Sequence, residues 1–195
     1  MVIGSGTVMP IGVEFLVNTS TLNDQLAPSV SGLLGSRFVV TWEDNSPFGS
    51  DPGSTEIRAQ IFDADGNKSG GEFVVNATEE SDQVSPTSAT LTSGRFVIAW
   101  MDNSRSSDDT SGWAVRAQMF NVDGSTFGGE FLVNTSTAGN QSNASITALS
   151  DGRFVIAWGD DSTTGGDTAL GSIRAQVFKS DGSTSGGEFL VNTTT

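Results

Sequence analysis

Phe96-Val97-Ile98-Ala99-Trp100 is apolar at every position. Drawn out as a strand, it turns Phe96, Ile98 and Trp100 to one side and Val97 and Ala99 to the other, so neither side suits water. The pattern also stands at Phe38-Val39-Val40-Thr41-Trp42 and at Phe154-Val155-Ile156-Ala157-Trp158, with the phenylalanines at 38, 96 and 154, a step of 58 residues. A strand apolar on both sides needs a layer against each. Three such strands in fixed register call for stacked units.

The repeat spans nearly the whole chain of 195 residues. Glu14-Phe15-Leu16-Val17-Asn18 returns as Glu72-Phe73-Val74-Val75-Asn76, Glu130-Phe131-Leu132-Val133-Asn134 and Glu188-Phe189-Leu190-Val191-Asn192, again every 58 residues and without insertion or deletion. Each copy must therefore be one supersecondary unit resting on its neighbours. This divides the chain into a lead-in at 1–13 and a repeat domain at 14–195. The domain holds a lone strand at 14–18, units at 19–76, 77–134 and 135–192, and a tail at 193–195.

Each unit reads as four strands. In the first unit these are Ser29–Leu33 after Pro28, Arg37–Trp42, Glu56–Phe62 and Glu72–Asn76. Gly35-Ser36 and Asp65-Gly66-Asn67 supply the turns, and Asp123-Gly124 and Asp181-Gly182 repeat the second. Asp-Gly suits a tight hairpin because the turn needs residues that tolerate positive φ. The expected class is all-β, with three four-stranded antiparallel units packed as β-propeller-type blades. A β-trefoil and an open β-solenoid are the alternatives. Propellers use roughly four to eight blades, more than three units supply. Two copies closing a six-bladed ring, head-to-tail assembly, or a longer parent array would each resolve this, and the surplus strand at 14–18 points the same way.

Composition narrows the function classes. Twenty-three acids face nine bases, for a net charge of −14. This argues against nucleic acid, which needs a basic face, and against an anionic membrane surface. It suits solubility or hard cations such as calcium. The chain has no cysteine, so disulfides neither brace it nor report its compartment. No run approaches the ~18 apolar residues of a membrane span, so membrane insertion is not expected. Met1-Val2-Ile3-Gly4-Ser5-Gly6 lacks the basic and apolar parts of a cleaved signal peptide.

The combined pattern GGEFxVNT, GRFVxxW and IRAQxFxxDG resembles repeats found in tandem in large secreted bacterial surface and RTX-type calcium-binding proteins. The resemblance covers the chain beyond the first dozen residues. It implies an extracellular or cell-surface setting in a bacterium, propeller-like repeats, and a role in adhesion or matrix. The GGxGxD calcium nonapeptide of RTX proteins is absent here, so calcium binding through that motif does not carry over.

Candidate site residues lie mostly in the loop between the second and third strands. Asp44, Asp102 and Asp160, with Asp51, Asp109 and Asp167, recur in register and could supply oxygens to calcium. The competing reading is an Asx turn that folds the loop. Arg58, Arg116 and Arg174 recur too, either paired with a repeat acid such as Glu72 or Asp44 or gripping the carboxylate of a sugar. Trp113 stands in the second loop where the other copies have Thr55 and Gly171, a place suited to stacking on a glycan or to anchoring the loop. The asparagines 18, 76, 134 and 192 suggest a hydrogen-bonded ladder between units.

Catalysis has little to work with. There is no histidine, cysteine or tyrosine for a triad, a usual zinc site or a sialidase nucleophile. Acids repeated threefold are expected to share one environment, which would not separate an acid from a base. The sequence therefore predicts a non-enzymatic surface or matrix scaffold, with a multivalent lectin and a self-assembling filament subunit as alternatives.

Overall fold

The computed structural model describes residues 13–47, 53–106, 108–164, 166 and 171–192. They form twelve strands in three four-stranded antiparallel sheets, each an uninterrupted meander. The first sheet holds β1 (Gln25–Leu33), β2 (Arg37–Asp44), β3 (Glu56–Phe62) and β4 (Phe73–Val74). The second holds β5 (Gln83–Thr90), β6 (Phe96–Asp102), β7 (Ala114–Phe120) and β8 (Thr126–Leu132). The third holds β9 (Gln141–Ala148), β10 (Phe154–Asp160), β11 (Ser172–Phe178) and β12 (Phe189–Leu190). The chain is thus all-β, and no described helix is long and apolar enough to cross a membrane.

The sheets stack in chain order, most closely along their first strands β1, β5 and β9. The central strand β6 is sandwiched as its sequence demands. Val97 and Ala99 join Val115, Ala117, Met119 and Val133 in a core shared with Phe154, Ile156 and Trp158 of the third sheet. On the other face Phe96, Ile98 and Trp100 join a core with Val39, Ile57, Ala59 and Ile61 of the first. Each junction therefore sets the Phe-Ile-Trp face of one sheet on the smaller β-branched and alanine face of the sheet before it.

A second contact marks every junction. Phe73 of the first sheet packs on Phe120 of the second, ring centroids 5.4 Å apart, and Phe131 packs on Phe178 of the third at 5.5 Å. Phe15 packs on Phe62 at 5.3 Å in the same tilted geometry. The segment at 13–18 therefore lies against the first sheet as the last strand of a preceding sheet would. The Asp-Gly hairpin makes room for the ring. Gly124 has φ of +89°, and a Cβ there would come within 3.2 Å of Phe73.

Several strand boundaries differ from the sequence reading, among them β2, which runs on to Asp44. β1 begins at Gln25 and runs through Pro28. A bulge at Ala27, φ 48°, carries the proline on a strand at the edge of its sheet, where a missing N–H is tolerated. The bulge recurs at Ser85 and Asn143. The fourth strand of the first and third sheets holds two residues, where five were expected.

Candidate functional site

Just past each fourth strand an asparagine side chain takes over part of the ladder. Asn76 Oδ1 accepts from the N–H of Ile57, and its Nδ2 donates to Gln83 Oε1 at 3.1 Å. Asn134 does the same with Val115 and Gln141. Each asparagine thus ties its own sheet to the first strand of the next through that strand's glutamine.

Gln83 passes the chain on, donating to Asp102 Oδ1 at 3.1 Å, as Gln141 does to Asp160 at 3.0 Å. Asp44, Asp102 and Asp160 are buried. Each accepts from the backbone N–H two residues on, at Ser46, Ser104 and Ser162, which is an Asx turn. Their remaining oxygens face the repeat arginines. Arg58 Nε lies 3.1 Å from Asp44, Arg116 Nε 2.8 Å from Asp102, and Arg174 Nε pairs with Asp160. A cation therefore already sits beside these acids: a guanidinium.

The far end of each arginine meets the glutamate that precedes the fourth-strand phenylalanine. Arg58 Nη1 is 3.0 Å from Glu72, Arg116 Nη1 3.2 Å from Glu130 and Arg174 Nη1 2.9 Å from Glu188. These glutamates also cap the chain entering their own sheet, accepting from the N–H of Thr19, Ala77 and Thr135 at 2.6–2.8 Å. Burial pulls the Arg116 guanidinium's pKa down, and Asp108, Glu130 and Asp102 more than offset it, so the pKa lies above its ordinary value. The same balance, with Glu56, Glu72 and Asp44, raises that of Arg58. Burial pushes Asp160 up, but bonds from Ser162 and Gln141 and the charge of Arg174 outweigh it and hold the carboxyl below the usual range.

The third partner of each arginine differs between repeats. Arg58 bonds Glu56 at 2.7 Å, and Arg116 bonds Asp108 and the Ser106 hydroxyl. In the third repeat the matching positions are Ser172 and Gly166, and Arg174 donates instead to the carbonyl of Thr164. Beside Arg174 lies an open pocket of about 450 Å³ lined by Thr135, Ser136, Thr137, Thr164 and Glu188. The first two repeats thus carry an acid against the arginine that the third, among its described residues, lacks.

The other candidates fall elsewhere. Asp109 is buried and accepts from Ser111 N and from Asn134 Nδ2, holding its loop to the core. Asp51 and Asp167 lie outside the described residues. Among the described residues no group of three acids is arranged to hold a metal. Trp113 is half-buried, its N–H donating to Asn140 Oδ1 and its carbonyl accepting from Gln141 N, so its backbone joins the second and third sheets. Sequence reasoning passed over Gln25, Gln83 and Gln141 and the serines 46, 104 and 162. Their signal was strict 58-residue periodicity at polar positions.

No protein-family model matches the chain, and no curated protein sequence does. Solved structures resemble it at low identity. A thermostable family-43 glycoside hydrolase matches with TM-score 0.55 and 12% identity, over 88% of this chain and 55% of its own. An endo-arabinase from Bacteroides thetaiotaomicron matches with TM-score 0.51 and 15% identity, over 88% and 63%. A protein of unknown function from Dyadobacter fermentans matches with TM-score 0.55 and 16% identity, over 80% and 39%. The chain thus spans from about two fifths to under two thirds of these proteins, and the likeness is one of fold.

This likeness corrects the expectation that the chain is not an enzyme, because its fold resembles those of a glycoside hydrolase and an endo-arabinase. The argument behind that expectation also fails on its own ground. Glycoside hydrolysis needs only a pair of carboxylates. The recurring acids do share one environment here, but not every acid recurs. Glu56 and Asp108 belong to single repeats, so threefold sequence symmetry does not impose threefold chemistry.

Proposed function

We propose that this chain is an extracellular repeat module of propeller-type blades that binds carbohydrate, with the notch at Arg174 receiving the carboxylate of an acidic sugar. The observation that carries the reading is the repeat-to-repeat difference around the arginine. Glu56 and Asp108 bring a carboxylate to Arg58 and Arg116, and in the third repeat that place opens onto a pocket rich in hydroxyls. Its volume lies within the roughly 300–1,000 Å³ of small-molecule sites. A planar guanidinium suits a carboxylate through paired N–H donors, and threonine and serine hydroxyls suit a sugar's own. Likeness to glycoside hydrolases supports a carbohydrate ligand.

Calorimetric titration with a uronic-acid oligosaccharide against its neutral counterpart tests the reading. The acidic ligand is expected to bind once per chain. Ser172→Glu, which restores the first repeat's arrangement, is expected to weaken binding at least tenfold with melting unchanged. Equal binding by that variant, or no binding of the acidic sugar at millimolar concentration, overturns it. A surface or matrix scaffold is the second reading, favoured by how many repeat-equivalent polar groups are engaged within the fold.

A further inference from the structure

The two end sheets each leave bare a face that is buried inside the molecule. On the second sheet Val97, Ala99, Val115 and Val133 are all at most 1% exposed under the third. Their equivalents on the third sheet are Val155, Ala157, Ile173 and Val191. Val155 and Ala157 are half-buried, and Ile173 and Val191 are 45% and 50% exposed. The first sheet shows the opposite face. Phe38 and Val40 are half-buried, where their equivalents Phe96, Ile98, Phe154 and Ile156 are fully buried. An apolar hollow of about 140 Å³, lined by Val17, Leu26, Pro28, Val40 and Trp42, opens there. Val30, across from Val40 on the neighbouring strand, is 66% exposed.

We infer that the bare face of the third sheet seats the first sheet of a second copy of this chain, repeating the junctions within the molecule. The occupant follows from continuity with those junctions. What each end lacks is the neighbour that the other end supplies, residue class for residue class and in the same register. Because the two faces differ, the contact is head-to-tail, and it closes into a ring or runs on as a filament.

One segment stands in the way. In a docked pair Phe189 of one copy would take the seat on Phe62 of the other, the seat Phe15 now fills. The contenders are the same five residues, Glu14 to Asn18 and Glu188 to Asn192. They are not held equally. Glu188 pairs with Arg174 at 2.9 Å, Val191 N donates to Ile173 O at 2.8 Å, and β12 pairs with β11. Residues 13–18 belong to no strand and meet the sheet through Phe15 on Phe62, Val17 at the hollow and the Asn18 amide on Gln25. The lead segment is therefore the one that leaves, and until it does it caps the first sheet against association.

Sedimentation velocity on the intact chain from micromolar to millimolar concentration tests this. Mass is expected to rise with concentration to a dimer or beyond. Phe15→Ser, which loosens the cap, is expected to tighten association at least tenfold. Ala157→Arg, on the bare face of the third sheet, is expected to hold the chain monomeric with its circular dichroism and melting retained. A monomer throughout for both the native chain and Phe15→Ser overturns the inference. So does association that Ala157→Arg leaves unchanged. Because Ala157 does not line the Arg174 pocket, failure here leaves sugar binding standing.

Discussion

The second and third sheets are built from nearly the same residues and live in different surroundings. β6 reads Phe-Val-Ile-Ala-Trp and is buried at all five positions, while β10, with the identical five, alternates buried and half-buried. The strand's sequence is suited to burial on both faces, and only the presence of a neighbour decides whether it receives it. Stability in such a stack is thus shared between a unit and its junctions.

The sharpest way to break the comparison is one charge placed at equivalent positions. Ala99→Arg puts a guanidinium between two sheets with no acid to meet it. The expected cost exceeds about 4 kcal/mol, a large part of an ordinary domain's stability. Ala157→Arg points its charge into water, and the expected change is within about 0.5 kcal/mol. Urea midpoints read both. Equal losses would mean that the third sheet is covered in solution.

A middle-sized effect is expected from the arginines. Arg116→Met leaves Asp102 and Glu130 buried without their cation and should cost about 3–5 kcal/mol. Arg153, on the third sheet, pairs with Asp151 with both side chains about half exposed. Arg153→Met should therefore leave the urea midpoint nearly unchanged.

The smallest effect concerns acid. The Asp160 carboxyl is held below its ordinary range in the folded chain, so its contribution is present above the unfolded value of about 3.9. That contribution is lost as pH falls through the lower folded value. The protection of β10 and β11 amides, their exchange relative to an unstructured peptide at the same pH, is expected to fall as pH drops below about 4. Asp160→Asn should remove this acid step, and a step that persists in the variant would assign it to another acid.

Much of the fold was legible because apolar periodicity is a local signal. The sandwiched strand could be read from Phe96 to Trp100 alone, and β3 falls on Glu56–Phe62 as the alternation of Ile57, Ala59 and Ile61 suggests. Features that trade one kind of bond for another were harder to see. The segment Glu72–Asn76 reads as five strand residues and keeps two, while Glu72 and Asn76 bond through their side chains. Pro28 looks like a boundary, yet the bulge at Ala27 lets an edge strand run through it. In the candidate site the pairing of arginine with Asp44 and Glu72 could be anticipated. The third acid could not, because counting what repeats discards Glu56 and Asp108, which occur once each.

The ring of Phe73 resting over Gly124, matched by Phe131 near Gly182, has a genetic corollary. Every joint is cut to one pattern, so a gene duplicating or deleting whole blocks of 58 codons would create no unfamiliar contact. Length can then drift while each surviving joint stays as it was. A crossover out of phase by even a single codon would set the phenylalanine on a bulkier neighbour and spoil the join.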